Sequence, residues 1–149
     1  MCVCGEVIER REAALVAALR EAGLRLTHQR LEVVRELAAA HDHPDADELF
    51  RRVRRRVPTI SLDTVYRTLA VLVERGLVAR VTTPRATRFD TDLAPHHHFV
   101  CTSCGELYDV PPRFAAVHAA EAIPGVGRVR GVCLELHGVC AACGAREAP

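Results

Sequence analysis

The fold is decided at residues 61–69, which read SLDTVYRTL. Ser61 is a preferred N-cap residue, and apolar residues recur every three or four positions after it as far as Gly76, which is typical of an amphipathic helix. Another helix is predicted to begin at Asp45, with Glu48 three residues later as in a capping box. A short Pro-Thr-Ile turn at 58–60 joins the two patterns. This arrangement predicts a helix-turn-helix.

The flanking sequence extends the helix-turn-helix to a winged helix. Two earlier helices are predicted, one at 8–22 and one capped by Thr27. After residue 76 the apolar residues alternate with polar ones, a turn follows at 83–86, and residues 87–90 return as a second strand. A hairpin in this position is the wing of a winged helix.

Arginine is concentrated around the helix-turn-helix. Residues 51–88 contain ten arginines and two acidic residues, whereas the net charge of the whole chain is +1. A local excess of positive charge indicates a polyanionic partner, most simply nucleic acid. The chain has no lysine, so a general preference for arginine is the alternative explanation. For each of the arginines at 51, 52, 54, 55 and 56, a solvated helix face is the favoured interpretation.

Two Cys-x-x-Cys-Gly motifs lie in the second half, CTSCG at 101–105 and CAACG at 140–144. Four thiolates in two close pairs are the usual ligands of a tetrahedral zinc ion, and the glycine after each pair is expected to let the backbone bend around the metal. A strand pair is predicted around the first motif, then a helix at 112–122 and a strand at 127–138. Zinc would stabilise a domain that has little core of its own. The alternative is unligated core or redox cysteines.

Length and composition limit the class of protein. The 149 residues divide into an N-terminal winged helix-turn-helix domain at 1–90 and a small zinc-stapled α/β domain at 91–149, which gives an α+β fold. No apolar run approaches the ~18 residues of a membrane span, and charged residues interrupt any signal peptide. Seven cysteines are more consistent with reduced thiols than with disulfides. We therefore expect a cytoplasmic protein with no membrane partner.

Together these motifs resemble the ferric uptake regulator family. The resemblance rests on the 61–69 stretch, RFD at 88–90, HHHFVC at 96–101 and the final Cys-x-x-Cys, and it spans about residues 12–144. It implies a dimeric, metal-dependent repressor of metal-homeostasis or peroxide-stress genes, which dimerises through its second domain. The implied partner is a palindromic double-stranded DNA operator, with no small-molecule substrate. The implied ligands of structural Zn(II) are Cys101, Cys104, Cys140 and Cys143.

The resemblance also implies a regulatory metal site formed by His43, Asp90, His96, His98 and Asp109. Three imidazoles and two carboxylates suit Fe(II), Mn(II) or Zn(II). His96 and His98 alternate on an extended segment, so they face the same side. An ion shared by His43 and the second domain would clamp the two domains together. Simpler alternatives are a helix cap for His43, a turn residue for Asp90 and a solvated strand end for Asp109.

The residue at 109 bears on the subtype. Asp109 stands where iron-uptake regulators usually carry Glu, which resembles the peroxide-sensing branch. In that branch Fe(II) and hydrogen peroxide oxidise a ligand histidine, at a position matched here by His43 or His96. The alternative is an iron-, zinc- or manganese-uptake regulator that does not sense peroxide.

The sequence does not assign a role in metal binding to the other histidines and cysteines. His97 alternates to the opposite face from its neighbours. The family's further ligand types are absent near Pro95, Ala116 and Val132, so no additional site is predicted. The residues whose metal binding the sequence leaves open are His118, His137, Cys133, Cys2 and Cys4.

DNA is expected to be read by the fourth helix, lying in the major groove. Thr64, Tyr66 and Arg67 lie in its N-terminal half and are the predicted base-contacting residues. The resemblance adds Arg25 and Arg30 as supporting contacts, with Arg25 near the minor groove.

Two functions of other classes compete with a repressor. A zinc-dependent hydrolytic enzyme would use His96, His98 and Asp90 around an activated water, but it leaves the winged helix unexplained. A zinc-stapled interaction module would have no regulatory metal at all.

Overall fold

The computed structural model of the protein describes residues 3–92, 94, 96–114, 121–129, 132 and 134–147. It comprises two compact units. The first contains Met1–Thr82 and Ala86–Leu93, and the second contains Thr83–Arg85 and Ala94–Pro149. Helices and strands are both present, and the predicted α+β class is confirmed. No helix in the described part of the chain combines the length and apolar character that a membrane span requires.

The first unit is the predicted winged helix. Its four helices and two antiparallel wing strands are α1 (Val3–Glu21), α2 (His28–Ala39), α3 (Ala46–Arg54), α4 (Leu62–Glu74), β1 (Ala79–Thr82) and β2 (Thr87–Asp90). The predicted caps are confirmed, because the side chains of Thr27, Asp45 and Ser61 each accept a hydrogen bond from the backbone N–H three residues later. The first helix begins five residues earlier than its apolar pattern predicted.

The core of the first unit receives one apolar stripe from each helix. Leu19, Leu37, Leu49 and Leu69 come from α1, α2, α3 and α4 in turn, and each is almost completely buried. Burial of each leucine contributes about 1.5–3 kcal/mol relative to exposure. The helix-turn-helix is therefore packed on a core shared by all four helices.

A buried carboxylate joins α2 to the residues after α3. Glu32 has a side chain only 8% exposed and accepts hydrogen bonds from Arg56 Nε at 2.9 Å and Arg35 Nη1 at 2.6 Å. Arg56 also bonds Glu36 at 2.8 Å. The hydrogen bond from Arg56, supported by Arg35, holds the pKa of Glu32 below its usual value against the opposing effect of burial.

We expect Glu32→Gln to lower the free energy of unfolding at pH 7 by about 1–2 kcal/mol, because it removes charge-assisted hydrogen bonds. The lowered pKa makes this stabilisation fully present above the unfolded-state value of about 4.3 and lost as the pH falls through the folded-state pKa. The difference between variant and wild type should therefore shrink on acidification. Urea unfolding from pH 7 down to about pH 2.5, which passes well below the unfolded-state pKa, measures it, with exposed Glu74→Gln as the control. A difference independent of pH would contradict the prediction.

The second unit is built on a three-stranded sheet. Its strands are β3 (His97–Cys101), β4 (Leu107–Val110) and β7 (Glu135–Gly138), in the order β4-β3-β7. β3 pairs antiparallel with β4 and parallel with β7. A small hairpin of β5 (Ala122–Ile123) and β6 (Gly127–Arg128) precedes β7, and the short helix α5 (Ala141–Glu147) follows it.

The segment between the cysteine motifs differs from its prediction. Where a helix was expected at 112–122, Pro112–Phe114 form one 3-10 turn and Ala122 already belongs to β5. Residues 115–120 of that prediction lie outside the described part of the chain. The single strand expected at 127–138 is two separate strands, β6 and β7. Short strands that pair with distant partners leave little periodicity in the sequence, so their limits depend on tertiary contacts.

Candidate metal centres and recognition helix

The four cysteines of the two motifs form one cluster in the second unit. Parallel pairing of β3 with β7 brings the motifs together, because Cys101 at the end of β3 lies opposite Gly138. All four Sγ atoms lie within 4.8 Å of one another, and those of Cys104 and Cys140 are 3.8 Å apart. Zn–S bonds of about 2.3 Å in a tetrahedron place sulfur atoms about 3.8 Å apart. The cluster thus has the dimensions of a four-thiolate zinc site.

Hydrogen bonds and neighbouring sulfur atoms shift the pKa values of the cysteine thiols in opposite directions. Backbone N–H groups of Cys104 and Cys140 donate to the sulfur of Cys101 and lower its pKa to about 6. The neighbouring sulfurs of Cys140 and Cys104 raise the pKa of Cys143 to about 12. Four adjacent thiolates repel one another, and a divalent cation removes that repulsion. The donor set therefore fits Zn(II).

Two features around the cluster were not anticipated. A hydrogen bond between Tyr108 and Cys140 raises the pKa of the tyrosine to about 12. The pKa of the Cys140 thiol is lowered mainly by the backbone N–H of Cys143 and further by Tyr108, so Tyr108 supports a ligand from outside the cluster. This contact depends on where β4 lies and leaves no local pattern in the sequence. Gly105 has the positive φ of 73° expected for a turn, but Gly144 lies inside α5, so the predicted glycine role is wrong at the second motif.

The predicted regulatory ligands of the first unit are His43 and Asp90. Both side chains are at least 95% buried, and His43 Nε2 lies 3.8 Å from Asp90 Oδ1. Asp90 is the last residue of β2, and a backbone hydrogen bond of 3.1 Å from Phe89 to Pro44 attaches the loop that carries His43 to this strand. The structure thus brings these two residues together.

The other three predicted ligands form a second group, within the second unit. His96 and His98 face the same side, with their Nε2 atoms 2.9 Å apart. Asp109 lies opposite His98 on β4, and its Oδ1 is 3.3 Å from His96 Nε2 and 3.7 Å from His98 Nε2. Metal–nitrogen bonds of about 2.0–2.1 Å at right angles place two nitrogens about 3 Å apart. The spacing of the two imidazoles is that of a hydrogen bond between the rings, and it also suits a shared transition metal.

Two further histidines of the second unit, His97 and His137, lie outside these two groups of ligands. His97 is buried on the other side of β3, where its Nδ1 accepts a hydrogen bond of 3.3 Å from the backbone of Leu134. His137 is exposed and lies 3.7 Å from Glu135. His118, Cys133, Cys2 and the side chain of Cys4 lie outside the described residues.

The N-terminal half of α4 exposes the predicted base-contacting side chains. Tyr66 is 49% exposed, and the side chain of Arg67 is 71% exposed, with a solvated ion pair to Asp63. Thr64 is partly engaged, because its hydroxyl lies 2.9 Å from that of Ser61. In the segment before and within α2, Arg30 donates to the backbone oxygen of Arg25 at 2.6 Å, so the two arginines are held together.

Part of the positive charge around the helix-turn-helix is compensated by acidic residues. Arg52 contacts Asp42, Glu36 and Glu48, and Arg56 contacts Glu32 and Glu36. Their charges are compensated within the first unit, although the side chain of Arg56 stays 48% exposed, so neither leaves an uncompensated positive charge.

Comparison with known proteins places the chain in a family. The ferric uptake regulator family matches residues 21–120, and the chain belongs to that family, as predicted. The peroxide-responsive repressor PerR of Staphylococcus aureus strain Mu50 is 37% identical over 105 residues, which are 70% of this chain and 71% of that protein.

Solved structures give the same result. A zinc-bound manganese uptake regulator is 32% identical with a TM-score of 0.66, and the match covers 85% of this chain and 98% of that one. A zinc uptake regulator in complex with zinc and DNA is 26% identical with a TM-score of 0.60 over the full length of both chains. Because these relatives are regulators and repressors, the hydrolytic-enzyme alternative is set aside.

Proposed function

We propose that the protein is a metal-dependent, DNA-binding transcriptional repressor that acts as a homodimer. The proposal rests on the presence of two features in one chain. The first is a winged helix in which one side of α4 is exposed, and the second is two groups of N/O donors that suit a regulatory metal. A zinc uptake regulator of similar fold, solved in complex with zinc and DNA, supports DNA as the partner. The domain division at residue 90, with dimerisation by 91–149, belongs to the same proposal.

The regulatory ion is proposed to take ligands from both units. His43 and Asp90 would be contributed by the first unit, and His96, His98 and Asp109 by the second. When bound, Fe(II), Mn(II) or Zn(II) supplies a positive charge that holds these five donors on a single centre. Metal affinity and DNA affinity would then be linked reciprocally, typically by about 1–3 kcal/mol. Cys101, Cys104, Cys140 and Cys143 would hold a separate structural Zn(II).

Within the family we propose a peroxide-responsive repressor. Asp109 and the 37% identity to a peroxide-responsive repressor both favour this subtype. The test is mass spectrometry of peptides after Fe(II)-loaded protein is exposed to hydrogen peroxide. A gain of one oxygen atom on His43 or His96, together with release of DNA, is expected. Unmodified peptides with no DNA release would contradict peroxide sensing.

An uptake regulator is the second candidate for the subtype. The 32% identity to a manganese uptake regulator supports it. Mn(II)-dependent repression that is insensitive to peroxide in the presence of Fe(II) would favour this candidate over the first.

We expect Arg67→Gln to weaken specific DNA binding by about 1–3 kcal/mol, because an exposed arginine on α4 suits bidentate contact with guanine. Thr64 and Tyr66 are the other proposed base contacts, with Arg25 and Arg30 in support. Duplexes that the wild type selects from a random library would serve as binding sites. The affinity of each variant for them would be measured by fluorescence anisotropy. Arg75→Gln, at the opposite end of α4, is the charge-matched control. If both variants lost the same DNA affinity on all sequences, Arg67 would contact only phosphates.

A further inference from the structure

The backbone of His43 is held in an unusual conformation. Its φ is +48°, and it is the only residue other than glycine with a positive φ in the described ranges. Residues with a Cβ atom adopt this region uncommonly, although histidine does so more often than most, and such a conformation persists where surrounding contacts hold it. The side chain is also 95% buried. The neighbours of His43 therefore decide where its imidazole lies.

The side chain of Arg88 contacts the backbone of His43. Its Nη1 donates to the backbone oxygen of His43 at 3.4 Å and to Glu48 Oε2 on α3 at 3.0 Å. A β-bridge between Asp45 and Arg88 attaches the same loop to β2. One buried guanidinium nitrogen therefore links the His43 loop, the wing and the first helix of the helix-turn-helix.

The position of Arg88 on β2 places it beside the ligand pair. Arg88 and Asp90 are two residues apart on one strand, so their side chains lie on the same face. The side chain of Arg88 is only 10% exposed, and the carboxylate of Glu48 compensates its charge. On the other side of the loop, Arg52 pairs with Asp42, the residue before His43. The loop is thus fixed on both sides of the imidazole.

We propose that Arg88 is a positioning residue for the regulatory metal: it holds the His43 loop in the conformation that presents the imidazole beside Asp90. The inference rests on the proposed function, because it takes His43 and Asp90 as metal ligands. Arg88 touches no metal itself and acts through the carbonyl oxygen of His43. Partners of this kind typically change metal affinity 10–100-fold when removed.

The test is a Co(II) titration of protein whose cysteine cluster is already filled with zinc, followed by visible absorption. Arg88→Met is expected to raise the Co(II) dissociation constant about 10–100-fold and to change the absorption band. Arg88→Lys should bind nearly as wild type does, because one ammonium can donate to both oxygen acceptors. Arg80→Met, which removes an exposed arginine from β1, is the matched control and should leave both readouts unchanged.

The outcomes separate this inference from the proposed function. If His98→Ala abolishes Co(II) binding but Arg88→Met binds within about threefold of wild type, the positioning role is overturned and the metal site stands. If His98→Ala has no effect, the proposed metal site fails and the positioning role fails with it. A loss of melting temperature alone, with the titration and spectrum unchanged, also overturns the positioning role. Should Arg88→Met not fold, Glu48→Gln is expected to weaken Co(II) binding in the same direction, and an unchanged constant overturns the inference.

Discussion

Replacing Cys140 by serine is expected to remove the structural zinc and unfold the second unit. Cys140 is buried, and its sulfur lies 3.8 Å from that of Cys104 in a cluster sized for one tetrahedral ion. Structural zinc contributes about 10–16 kcal/mol of binding free energy in small zinc domains, which exceeds the stability of most single domains. The sheet around β3 has few buried apolar residues, chiefly Val100 and Leu107, and cannot replace that contribution.

Elemental analysis and circular dichroism of the purified variant measure this effect. We expect less than stoichiometric zinc and loss of the second unit's ordered signal, while the winged helix, which has its own core, stays folded. Ser103→Ala is the control, because it changes a neighbouring side chain inside the first motif without removing a thiolate. A Cys140→Ser protein that retains one zinc per chain and its full circular dichroism would contradict the role of the cluster.

Replacing His96 and His98 together by alanine is expected to abolish the metal response of DNA binding. Their Nε2 atoms are 2.9 Å apart and both lie within 3.7 Å of Asp109 Oδ1, so the double change removes the two nitrogens of this group. If metal and DNA binding are coupled by the usual ~1–3 kcal/mol, the wild type should bind its site about 5–150-fold more tightly with Mn(II) than without it. The variant should bind equally weakly in both conditions.

Anisotropy titrations at fixed ionic strength, with and without Mn(II), measure this difference. His137→Ala is the matched control, since it removes an exposed imidazole from another strand of the same sheet. The competing interaction module predicts a different result: the double variant would bind DNA as wild type does, with no metal dependence in either protein. That result would remove the regulatory metal from the proposal.

Local signals were enough to predict most of the first unit. The caps at Thr27, Asp45 and Ser61 and the alternation in the wing each depend on residues within one element, and all are present. The cysteine cluster was predictable for a related reason, because a Cys-x-x-Cys pair places two thiols on one metal whatever the surrounding fold.

Features that depend on contacts between distant residues were not predictable. The sequence cannot show that Arg52 and Arg56 are compensated by acids of other segments, nor that Tyr108 reaches Cys140 from β4. The helix α5, which begins inside the second motif at Ala141, was not predicted, because its seven residues are too few to show an apolar periodicity. The positive φ of His43 and its contact with Arg88, which lies 45 residues away along the chain, likewise leave no local pattern in the sequence.

The central claim is that one ion binds residues from both units of a subunit. The most direct measurement is anomalous diffraction from crystals of zinc-loaded protein grown with Mn(II). We expect one manganese peak per subunit, bound by His43 and Asp90 together with His96, His98 and Asp109. A manganese ion held by the second unit's three residues alone, with His43 bonded elsewhere, would contradict the claim.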